Sequence, residues 1–74
     1  MEQTAEQIAQ HYIAMGDSVW LISAIIAGET QGDAGTVERN VAHLELMCAK
    51  DFWTNEDMSA VNTAIAAGKA YVAA

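Results

Sequence analysis

From Val19 to Ala27 the chain reads Val-Trp-Leu-Ile-Ser-Ala-Ile-Ile-Ala, an apolar run broken by a single serine. A bilayer span needs about 20 apolar residues, so this run is too short to cross one. A helix that is apolar on every side is normally buried on every side. A helix at the edge of a small bundle needs only one apolar stripe. The run is therefore expected to be the central packing element and to offer a contact to a second chain.

Seventy-four residues make one domain, 1–74, near the lower end of what folds without staples. The opening Met1 fits a complete small protein. A hydrophobic content of 53% argues against disorder despite a formal charge of −7. The single cysteine, Cys48, excludes an internal disulfide framework. The start of the chain carries no basic segment leading into an apolar one, so neither secretion nor membrane insertion is expected. A reduced, cytoplasmic setting follows. Only Arg39, Lys50 and Lys69 oppose ten carboxylates. A duplex or an anionic membrane repels such a surface, so neither is an expected direct partner. The acidity suits solubility, attraction to a basic partner, or mimicry of nucleic acid.

Taken in order, Thr4-Ala5-Glu6-Gln7 has the spacing of a capping box. Ile8, Tyr12, Met15, Val19, Ile22 and Ile26 then follow at alternating steps of four and three, a heptad seam. Gly16-Asp17-Ser18 threatens to split the helix, but the seam passes through in phase, which predicts one helix over 4–27 with Gly28 just past its end. Gly28 to Gly35 reads as a connector. No lysine follows its glycines, and Glu29 and Asp33 sit inside it, against a phosphate-binding loop. A second helix is expected over 36–50, with Val37, Val41, Leu44 and Cys48 as its stripe, Met47 beside them, and Lys50 suiting its end. Asp51-Phe52-Trp53 is a tight corner, and Thr54 caps a third helix over 55–72, with Glu56 and Asp57 in its first turn. Trp53 and Met58 have the spacing of a hydrophobic staple. Met58, Val61, Ile65, Gly68 and Val72 form the third stripe.

The expected fold is all-α, a small three-helix domain with a long first helix, assembled as a helical homodimer. At 1.5 Å per residue the first helix is about 36 Å long and the second about 22 Å. Folding back from Gly35, the second cannot cover the N-terminal third of the first, which is left to partial cover by the third helix returning the other way. Ile8, His11, Tyr12 and Met15 are therefore expected to lack a partner within the chain and to be covered by a second copy or another protein. Trp20, off the seam, and the rings of Phe52 and Trp53 join them as interface candidates, since aromatic residues are enriched at binding hot spots. For Trp53 the staple offers an internal explanation, and for Trp20 the all-round apolar character of its helix leaves burial equally open.

No arrangement of reactive groups is expected to catalyse a reaction. His43 and Cys48, five residues apart on a helix, diverge by about 140° around the axis. His11 and His43 lack a second ligand type at helical spacing, so no metal is expected. Asp51, Glu56 and Asp57 resemble an acid–base cluster, but carboxylates at a helix start have a structural reason to be there. Asp33 lacks the oxygen-ligand pattern of a calcium loop. No cofactor is expected.

Arg39-Asn-Val-Ala-His-Leu-Glu-Leu-Met-Cys-Ala-Lys-Asp-Phe-Trp53, followed by Glu56-Asp57 and Ala64-Ile-Ala-Ala-Gly68, resembles short uncharacterised proteins encoded by tailed bacteriophages. The likeness covers roughly the second half of the chain. It implies a setting, since small phage accessory proteins of this kind often act by binding a host protein. The expected function is non-enzymatic binding and modulation of a host or viral protein. One alternative is an acidic nucleic-acid mimic blocking a basic groove, although carboxylates scattered from Glu2 to Asp57 do not form rows at phosphate spacing. Another is a structural component of a virion or its assembly.

Overall fold

The computed structural model describes residues 4–74, Asn55 by its backbone alone. Three helices follow one another: α1 (Ala5–Ala27), α2 (Ala34–Cys48) and α3 (Asn55–Ala73), each packed against the other two. No strand occurs among the described residues.

The helix ends follow from local chemistry. Thr4 and Gln7 close the capping box reciprocally: the Gln7 N–H donates to Thr4 Oγ1 (3.1 Å) and the Thr4 N–H donates to Gln7 Oε1 (2.9 Å). Gly28 ends α1 in the left-handed region (φ 75°), where only glycine is at ease. The amide of Glu29 then donates back to Ala24 O (2.8 Å). α2 starts two residues earlier than the expected 36, because Asp33 is its N-cap: Oδ1 accepts from the Thr36 amide (2.8 Å) and hydroxyl (3.0 Å). These two donors hold the Asp33 carboxyl below its ordinary value. α2 also stops at Cys48, so Lys50 lies beyond its last turn and does not serve its dipole as expected. At α3, Thr54 and Asp57 build a second capping box, with the Thr54 hydroxyl donating to Asp57 Oδ2 at 2.7 Å.

Met15, Ile22, Val37 and Leu44 form the fully enclosed centre, with Ile25, Val41, Met47, Met58, Val61 and Ala64 around them. On α2 the buried stripe ends on Met47, and Cys48 is only half-buried. The buried ridge of α1 is Met15, Ser18, Ile22 and Ile25, turned by about 60° from the expected heptad seam. Val19 is half-buried, and Tyr12 and Ile26 are exposed. Ser18 lies on that ridge. Its hydroxyl lies 2.9 Å from Nδ1 of His43 on α2, so a polar group faces the interior with a partner. His43 is half-buried.

Ser18→Ala is expected to lower stability by about 1 kcal/mol, since it strands the imidazole nitrogen at a part-buried site. The midpoint of urea unfolding measures this, and an unchanged or raised midpoint would show that the contact does not hold the α1 rotation.

Candidate protein-interaction surface

The corner between α2 and α3 reaches over the N-terminal part of α1. Trp53 is fixed by its indole N–H, which donates to Met47 O at the end of α2 (3.0 Å). Its ring packs against Phe52 (centroids 4.7 Å apart) and Tyr12 (5.9 Å), while Phe52 stacks on His11 (6.3 Å). Such offset or tilted pairs add about 0.5–1.5 kcal/mol each beyond their burial.

This corner corrects the expectation that the start of α1 finds no partner within the chain. Met15 is 0% exposed and belongs to the core, so it cannot serve an interface. Ile8 is half-buried, His11 and Phe52 are half-buried against each other, and Trp53 is half-buried against the core. Tyr12 leans on Trp53 yet remains 45% exposed.

Exposed large apolar side chains occur on all three helices, with Leu46 on α2 and Tyr71 on α3, and most of them lie on α1. Ile13 is 64% exposed and Trp20 61%. With the core ridge turned toward Ser18, residues Ala9, Ile13, Gly16, Trp20, Ser23 and Ala27 follow at steps of four and three, all exposed and none charged. By helical phase, Glu6 and Asp17 fall along one edge of this stripe. Where the stripe meets the aromatic corner, Ile8, Ala9, Tyr12, Ile13, Trp53 and Asp57 line an open hollow of about 390 Å³. Trp20 is thus the sequence candidate that stands out from the fold, and Ile13 is the residue that the heptad seam passed over. Ile13 lies outside the apolar run of 19–27, and no signal in the sequence singled it out.

The polar groups do other work. Burial first, and the Glu45 carboxylate second, push the Cys48 thiol up, which is opposite to what a nucleophilic cysteine requires. Ser18 is enclosed in mid-helix, so its contact with His43 presents no accessible hydroxyl to a substrate. Asp33 and Asp57 are occupied as caps. Among the described residues no three His, Cys, Asp or Glu side chains gather as metal ligands. No described helix is long and apolar enough to cross a membrane. Glu2 lies outside the described residues. What the outer face of α1 presents is exposed, uncharged apolar area.

No family model matches the chain. Neither a curated protein nor a solved structure gives a significant match.

Proposed function

We propose that the protein is a small, acidic, non-enzymatic accessory protein of phage type. It binds and modulates a host or viral protein in the cytoplasm, and it does so as a helical homodimer. The observation that carries this reading is the outer face of α1, where Trp20 and Ile13 stand in water on an uncharged stripe running the length of the helix. Large exposed apolar patches on small proteins mark interaction sites. The fixed rings of Phe52, Trp53 and Tyr12 extend that patch at low entropic cost.

An affinity-tagged chain passed through lysate of a candidate bacterial host is expected to retain a specific protein. Trp20→Ala, with helicity intact by circular dichroism, is expected to lose it. Retention of the same protein by both Trp20→Ala and Ile13→Ala would contradict the reading. The complex should persist from low to high salt, whereas steep loss with salt is the behaviour of an acidic mimic seated in a basic groove.

A further inference from the structure

Between α2 and α3 runs a groove to which α1 contributes no residue. Its floor is apolar, built from the buried Val41 and the half-buried Val72. The short side chains of Ala42 and Ala73 on its walls leave about 360 Å³ open. One turn on from Ala42, Leu46 is 63% exposed and carries the apolar rim further along α2. Two carboxylates lie along the same edge, Glu38 and, two turns later, Glu45. Lys69 holds Glu45 across the groove at 2.9 Å, and among the described residues no cation pairs with Glu38. We propose that this groove is a docking site, separate from the outer face of α1, for a basic amphipathic helix of another protein.

Shape points to a helix. No strand edge is open for pairing among the described residues, and the seam between two packed helices accepts the side-chain ridge of a third. The two walls meet closely because Gly68 has no side chain, and a Cβ there would strike Val41 Cγ2. That contact fixes α2 and α3 relative to each other, so the groove stands before any partner arrives. Its volume falls in the range of about 300–1,000 Å³ usual for ligand sites, room for anchoring side chains rather than a whole helix.

Charge sets the sign of the partner and argues against a second copy. The chain carries −7 with three lysines and arginines in all. Of these, Lys69 is taken up by Glu45, and Arg39 donates to Thr36 Oγ1 (3.3 Å). A second copy would bring its own surplus of carboxylates against Glu38 and Glu45. A foreign helix with a lysine or arginine beside its apolar ridge meets Glu38 with that cation and the floor with its aliphatic side chains. Both halves complement what the groove presents, and the negative field of the whole chain draws such a helix in.

A synthetic helical peptide of leucine, lysine and alanine, with its leucines on one face, is the probe. It is titrated into the unaltered full chain while the amide resonances are followed by NMR. The largest shifts are expected at Val41, Ala42, Leu46 and Ala73, and a scrambled peptide of the same composition should bind much more weakly. Glu38→Gln is expected to weaken the helical peptide by about threefold to fivefold, the scale of one exposed ion pair. Glu6→Gln, which removes the same charge from α1, should leave binding unchanged. Ala42→Trp fills the groove from an exposed position and, with helicity intact, should weaken binding by about tenfold or more. The proposal is overturned by no binding, by equal binding of the scrambled peptide, or by unchanged binding to Ala42→Trp. Equal losses for Glu38→Gln and Glu6→Gln overturn it too, as do groove shifts on concentrating the chain alone, which would place a second copy there. Shifts confined to the outer face of α1 overturn the groove and leave the docking role of α1 standing.

Discussion

Ile22→Ala is expected to remove about 2–5 kcal/mol of folding stability. Ile22 is fully enclosed where α1 meets both other helices, in the cluster that holds Met15, Val37 and Leu44. Its Cγ2 lies 3.5 Å from where a Cβ on Gly68 of α3 would stand. Truncation loses the transfer energy of three carbons and leaves a void that three rigid helices cannot close. A domain of this size has a total stability of roughly 4–11 kcal/mol, so the variant stands near the edge of folding. Thermal unfolding followed by circular dichroism measures the effect. A loss below about 1 kcal/mol would mean that the packing at this junction is far looser than described.

Gly68→Ala is the second large effect, and its sign is the informative part. Alanine is the better helix former by about 1 kcal/mol, which on propensity alone predicts stabilisation. Gly68 is buried against α2, however, and an added Cβ would collide with Val41 Cγ2 and press on Val37 Cγ1 at 3.3 Å. Overpacking of a tight core costs about 1–3 kcal/mol, so a net loss of up to about 2 kcal/mol is expected. Val41→Ala vacates the colliding methyl. The double variant should then be more stable than the sum of the two single changes, read as a coupling in a double-mutant cycle of urea midpoints. Additive losses would remove the contact from the account.

Much of this architecture was legible in the residues. Thr4, Gly28 and Thr54 announce helix ends by chemistry within three or four positions of themselves, and those ends stand where the spacing put them. Most of the stripes of α2 and α3 was legible for the same reason, periodicity being a local property, although Met47 and Ala64 are buried where Cys48 and Ile65 were expected. What failed depends on partners distant in sequence. An apolar count passes over Ser18, since its acceptability inside depends on His43, 25 positions away. That one contact goes with a turn of α1 that takes Tyr12 and Ile26 off the buried seam and leaves Ile13 and Trp20 outside. Helix lengths suggested an uncovered start to α1, because lengths do not register the reach of two rings at a corner. Phe52 and Trp53 close over His11 and Tyr12 and leave Met15 in the core. Asp33 was weighed as a calcium ligand and passed over as a cap, because the glycines around it masked the start of α2.

Exposed apolar surface therefore exists, most of it along the outer side of α1 from Tyr12 and Ile13 to Trp20. Sedimentation equilibrium of the unaltered chain over a range of concentrations tests that claim most directly. The account predicts an assembly of two 7.9 kDa chains that raised salt leaves intact, and a single chain for Trp20→Ala with unchanged helicity. A single-chain mass for the unaltered protein at every concentration would contradict it.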